Sequence, residues 1–112
     1  MIPESEWKWQ GYAGHLIVAQ WCLFHMNTVV GEYIVSTVGD YRREGDGPRT
    51  TIGAGKESFF ETYVFKGHEP CGTADCKCET VTNFGEIDGS RWATPREAQA
   101  GHMAFCRKYA AL

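Results

Sequence analysis

Thr94-Pro95-Arg96-Glu97, running into Ala98-Gln99-Ala100-Gly101-His102-Met103-Ala104-Phe105-Cys106-Arg107-Lys108-Tyr109-Ala110, is the stretch that decides the fold. A threonine three residues before a glutamate is a capping box: the hydroxyl accepts from a free N–H of the first turn and the glutamate reaches back. Proline fits the first helical position, because the N–H there has no intrahelical partner and φ is already near helical. Ala98, His102, Phe105 and Tyr109 then recur at helical spacing and form one stripe. The spacing predicts a helix over 95–110 with this stripe turned inward. Gly101 inside it costs roughly 1 kcal/mol relative to alanine; close approach of the helix to a sheet would account for it.

Upstream the period changes from 3.6 to 2. Glu32-Tyr33-Ile34-Val35-Ser36-Thr37-Val38 follows Gly31 and stops at Gly39-Asp40. Alternation places Tyr33, Val35 and Thr37 on one face and Ile34, Ser36 and Val38 on the other. Residues 59–65 repeat the pattern, with Phe59, Glu61, Tyr63 and Phe65 opposite Phe60, Thr62 and Val64. The dense apolar run over 15–25, bracketed by His15 and His25, reads as a further buried strand, although a short buried helix has the same composition. Residues 79–83 form a weaker strand candidate and Thr50-Thr51-Ile52 a short edge strand. Residues 42–58 make a hydrophilic connection around Gly45-Asp46-Gly47-Pro48, and Asp88-Gly89 reads as a turn. Trp7, Trp9 and Tyr12 mark residues 1–13 as an irregular arm that lays its rings on the body. The expected fold is α+β, one domain over 1–112: a small, mostly antiparallel sheet of three to five strands with the C-terminal helix packed on one face.

The chain of 112 residues is 43% hydrophobic and carries a net charge of −3. A core is therefore affordable without staples. The longest basic run is Arg42-Arg43, so a general nucleic-acid face is disfavoured. The longest apolar run, over 16–24, is well short of the ~20 residues of a membrane helix. The polar start Met1-Ile2-Pro3-Glu4-Ser5-Glu6 is unlike a signal peptide. A cytoplasmic location follows as an expectation, and there clustered cysteines more often hold metal than form disulfides.

That cluster lies in residues 66–79, where His68, Cys71, Cys76 and Cys78 stand close together. Zinc ligands usually come in pairs a few residues apart, so that one turn aims both at a single ion. His68 and Cys71 fit this spacing, as do Cys71 and Cys76. Cys76 and Cys78, as alternate residues of an extended segment, point the same way. Together the four would make a closed structural zinc site with no open position for water. A local disulfide, or three free thiols, is the alternative.

Of the remaining polar residues, His15 and His25 would stand about 33 Å apart along a straight strand and cannot act together. Cys22 and Cys106 read as small core residues. His102 lies on the apolar stripe and must find a hydrogen-bond partner, with Thr37, Asp40 and Glu61 as candidates. A sharper reading makes His102, Glu61 and Asp40 the walls of a ligand pocket in which the imidazole acts as a general base. One or two of the four tryptophans could instead anchor a partner, since tryptophan is enriched at interface centres.

The strings His15-Leu-Ile-Val, Cys22-x-Phe24, Thr28-Val-Val-Gly-Glu-Tyr33, Ser36-Thr-Val-Gly-Asp-Tyr41, Phe60-Glu-Thr-Tyr-Val-Phe65, Glu86-Ile-Asp88, Trp92-Ala-Thr and Gly101-His102 resemble a group of small bacteriophage proteins without an assigned activity. The resemblance covers nearly the whole chain, and residues 66–85 correspond to its most variable part. It implies a phage-encoded cytoplasmic accessory protein that binds a host protein or a defence component, with counter-defence as one version. A small-ligand-binding protein or enzyme built around His102, and a zinc-organised interaction module, are the competing expectations.

Overall fold

The computed structural model describes residues 1–10, 22–41 and 59–112, without the side chains of residues 22, 23, 40 and 41. Strands β1 (Lys8–Trp9), β2 (Cys22–Val30), β3 (Tyr33–Tyr41), β4 (Phe60–Lys66) and β7 (Asp88–Trp92) form one antiparallel sheet in the order β1-β2-β3-β4-β7. Strands β5 (His68–Pro70) and β6 (Glu79–Val81) pair as a separate hairpin, and α1 (Pro95–Ala110) closes the chain. The α+β architecture expected from the sequence is the one observed.

The central hairpin β2–β3 turns at Gly31-Glu32, with Val30 opposite Tyr33. Gly31 has φ of +60°, the first central residue of a II′-type turn, whose twist matches that of the flanking strands. Period-2 alternation then splits each strand between two faces. Val30, Val35 and Val64 face α1 and pack with Trp7, Cys106, Tyr109 and Ala110. Val29, Ile34 and Phe65 face the other way and pack with Val81 of β6 and with Tyr63. One sheet face is thus covered by the helix, and part of the other by the β5–β6 hairpin.

The helix begins where the capping box places it. Thr94 Oγ1 accepts from Glu97 N at 3.1 Å and meets Glu97 Oε1 at 3.0 Å. The buried stripe is Ala98, Gly101, His102, Cys106, Tyr109 and Ala110; it keeps the expected Ala98, His102 and Tyr109, while Phe105 is only partly buried and Cys106 takes the core position. Gly101 lies directly against the indole of Trp92, where a Cβ would overlap the ring. At the other end of the helix Tyr109 donates to Asp88 Oδ2 at 2.8 Å and Lys108 donates to the same oxygen at 2.6 Å. α1 is therefore fixed to β7 at its middle and at its last turn.

Three local expectations change. Asp88-Gly89 starts strand β7 rather than making a turn. Trp9 belongs to β1, which adds to the sheet beside Thr28, so part of the arm is regular. The apolar run expected as a strand over 15–25 is described only from Cys22, and the strand continues to Val30; residues 15–21, like the expected edge strand at 50–52, lie outside the described residues. Ile2 N bonds Ala110 O at 2.8 Å, so the start of the chain lies beside the end of α1.

Candidate functional site

The buried polar groups form a continuous chain. Trp92 Nε1 donates to Thr62 Oγ1 at 2.9 Å. Thr62 Oγ1 lies 2.6 Å from Thr37 Oγ1, Thr37 Oγ1 lies 2.8 Å from His102 Nδ1, and His102 Nε2 lies 2.8 Å from Thr28 Oγ1. Indole N–H can only donate, so Thr62 accepts from Trp92, while each threonine hydroxyl after it can donate one bond and accept others. Thr28 in turn bonds the Cys106 thiol. A neutral imidazole carries one donor and one acceptor nitrogen, and here both are engaged by threonine hydroxyls. Burial lowers its pKa to about 4, because no charge sits nearby to compensate an imidazolium within this chain of neutral groups. Burial likewise pushes the Cys106 thiol up to about 12, against the hydrogen bond from Thr28.

This geometry separates the residues expected to form a pocket. His102 is fully buried, and both ring nitrogens are taken by threonines, so neither is offered to a ligand. Glu61 alternates with Thr62 and therefore lies on the opposite sheet face. The Asp40 side chain lies outside the described residues. Of the expected partners of His102 the structure supplies Thr37. It adds Thr28, Thr62 and Trp92, which sequence reading did not connect. The signal available was threonine at helix-facing strand positions, where a valine would otherwise be expected.

Glu61 instead stands beside an open groove of about 760 Å³ on the outer part of the sheet, lined by Tyr63, Glu86, Ile87, Asp88, Gly89, Ser90 and Arg91. Arg91 Nε lies 3.7 Å from Glu61 Oε2, as expected for cross-strand partners. Burial raises the Glu61 pKa, partly offset by Arg91 and by a hydrogen bond with Tyr63, while Glu86 adds to the rise. Phe84 and Ile87 beside the groove are 61% and 51% exposed, and Phe84 meets the edge of Phe65 at a centroid distance of 6.5 Å. β7 is the outermost strand on this side, and its Gly89, Ser90 and Arg91 are exposed.

The cysteine loop is the tip of the β5–β6 hairpin. Pro70 opposes Glu79, and Cys71 N bonds Cys78 O at 3.0 Å, so the strand pairing runs on into the cysteines. Gly72 at φ +82° and Asp75 at φ +63° reverse the chain, and Cys76 N closes onto Thr73 O at 3.1 Å. This brings the Cys76 thiol into hydrogen-bonding reach of the Cys71 and Cys78 thiols. His68 is turned elsewhere: its Nδ1 meets Glu79 Oε1 at 3.0 Å and its Nε2 meets the Gly31 carbonyl at 2.8 Å. The three cysteines are thus brought together, and the histidine expected beside them is engaged in holding the hairpin to the β2–β3 turn. A closed zinc site needs four ligands about one metal bond from a common point. Of the set His68, Cys71, Cys76, Cys78, the three cysteines lie together and His68 is held apart by Glu79 and Gly31; among the described residues no group of three or more His, Cys, Asp or Glu side chains is arranged to hold an ion.

Comparison of the chain with family models, with curated proteins and with solved structures gives no match. Among the described residues no helix is long and apolar enough to cross a membrane.

Proposed function

We propose that this protein acts by binding another protein, and that the groove beside β7 is where it does so. The single observation behind the reading is the juxtaposition of exposed Phe84 and Ile87 with an open groove that carries both signs of charge. Large apolar side chains next to polar groups of fixed geometry are the usual make-up of a protein interface. The buried imidazole of His102 favours the same reading over a small-ligand site, since it is satisfied within the core. The resemblance to small bacteriophage proteins suggests that the partner is a host protein, including a component of a defence system.

The test is affinity capture from lysate of a bacterial host, comparing the wild-type protein with Ile87→Asp and with Glu69→Arg. Glu69 is exposed on the β5–β6 hairpin and serves as a control. The reading expects a partner retained by wild type and by Glu69→Arg, and at least tenfold less of it on Ile87→Asp. A partner that Ile87→Asp retains in full would place binding elsewhere, and repeated recovery of nothing specific would count against a binding function.

A further inference from the structure

Within that binding reading, on which this inference rests, we infer that β7 takes an extended peptide segment as a sixth strand of the sheet, and that the segment is basic on the side that faces the groove. Three observations carry this. The first is position. β7 is pinned to β4 along its inner edge, with Ile87 N on Val64 O at 2.8 Å and Phe59 N on Trp92 O at 3.1 Å just beyond its ends. Its outer edge pairs with no strand among the described residues. An outer edge offers backbone N–H and C=O groups at strand spacing, a template for a further strand.

The second observation is that little guards this edge. Natural edge strands are commonly blocked by proline, by charged side chains or by a bulge; the two charges of β7 are both engaged, Asp88 with Lys108 and Arg91 with Glu61. β7 reads Asp88-Gly89-Ser90-Arg91-Trp92 and has no proline. Its register with β4 runs unbroken from Phe60↔Trp92 to Val64↔Asp88. Asp88 and Trp92 are committed to the helix side through Tyr109, Lys108 and Thr62. The strand is therefore tied to the helix side at both ends, and the middle of its outer edge consists of the small residues Gly89 and Ser90. Gly89 lets β7 lie close against β4, because a Cβ there would press on the Thr62 carbonyl and the Tyr63 ring.

The third is charge. Glu86, Asp88 and Arg91 are the charged groups of the lining, and Glu61 stands beside them as the cross-strand partner of Arg91. Asp88 is matched with Lys108 and Arg91 with Glu61, while Glu86 acts on Glu61 as a second like charge. With Lys108 counted, this side holds three carboxylates, Glu61, Glu86 and Asp88, against two cations, Arg91 and Lys108. A lysine or arginine projecting from an added strand would relieve the repulsion between Glu61 and Glu86. An acidic side chain there would increase it. Neighbouring side chains of the added strand on the same face fall two residues apart, so one of them reaches the exposed Ile87 when its neighbour lies between the carboxylates.

The experiment uses the full 112-residue chain and two probes: an octapeptide alternating lysine with valine, and its counterpart alternating glutamate with valine. Amide hydrogen exchange is followed by NMR, residue by residue. The inference expects exchange of the amides at 89–91 to slow at least tenfold with the lysine peptide and less than twofold with the glutamate peptide. It expects Glu86→Lys, a change at an exposed residue outside the sheet, to abolish that preference. Equal protection by both peptides, protection confined to other strands, or no protection overturns it. So does protection at 89–91 without peptide accompanied by a doubled mass in solution, since a second copy would then own the edge. If lysate capture depends on Ile87 while neither peptide protects β7, the binding reading stands and strand addition falls. If the lysine peptide protects β7 while capture is indifferent to Ile87, the edge is real and the captured partner uses another surface.

Discussion

Acid should weaken this fold through one residue. His102 has its pKa lowered to about 4, from an ordinary 6.5, chiefly by burial. For a base held down in this way the unfolded chain takes up protons first. The stability held by the neutral ring is complete above pH 6.5 and is lost as pH falls from there toward 4. A tenfold difference in proton affinity is worth about 1.4 kcal/mol, so the full loss is about 3 kcal/mol, with about 2 kcal/mol already gone near pH 5. Protonation also has a structural price. Both ring nitrogens would become donors, so the Thr28 and Thr37 hydroxyls would both have to accept, and whichever of them donates to the neutral ring would have to turn its proton elsewhere. The assay is urea denaturation between pH 4.5 and 7.5, followed by tryptophan fluorescence, for wild type and for His102→Gln. Glutamine can accept from Thr37 and donate to Thr28 but does not titrate. The variant should be less stable at pH 7 by about 1–3 kcal/mol from imperfect packing, with a clearly flatter fall toward pH 5. Two other groups shape the absolute curves and cancel in the difference. Asp88, held low by Lys108 and Tyr109, gives up its stabilisation only at lower pH. Glu61, raised by burial, works in the opposite sense. Equal slopes for the two proteins over pH 6.5–4.5 would refute the reasoning. So would ring nitrogen shifts in the wild type that show an imidazolium at pH 6, a test that needs no variant.

Two further outcomes follow from packing and from an orphaned group. Gly101→Ala should gain about 1 kcal/mol of helix propensity and lose more, for a net destabilisation of about 1–3 kcal/mol from overpacking against the Trp92 ring; a changed Trp92 emission with a lowered urea midpoint is the readout. Asn27 is 1% exposed, and neither polar atom of its side chain has a partner among the described residues. Asn27→Leu, close in shape and without the unsatisfied amide, should raise stability by about 1–2 kcal/mol in the same assay.

The helix could be read almost to the residue, because its start is written in local chemistry: a hydroxyl, a proline and a carboxylate at fixed offsets. Strands β3 and β4 could be read for a different reason, each being buried on both faces and keeping its alternation. β7 was not legible. As an edge strand with Gly89, Ser90 and Arg91 exposed it has no apolar period, and Asp-Gly is a turn signal wherever tertiary pairing does not override it. The continuation of β2 through Met26-Asn27-Thr28 was hidden by polar residues, which the fold buries by giving Thr28 to His102. The groove's Arg91 meets Glu61, thirty residues away, through a pairing that no local pattern encodes. The three cysteines converge as their spacing suggested. His68 does not join them, because its partners Glu79 and Gly31 are settled by how the hairpin folds back on the sheet.

The bond between Ile2 and Ala110 bears on how the protein could be handled as a part. Residues 2 and 110 sit side by side, so the path of the chain nearly closes on itself. A fold of this kind can be spliced into a surface loop of another protein without forcing its ends apart, or reopened at the β5–β6 hairpin with its old ends joined by a few residues. A reporter attached at either end would stand at the same corner of the molecule, beside the last turn of the helix.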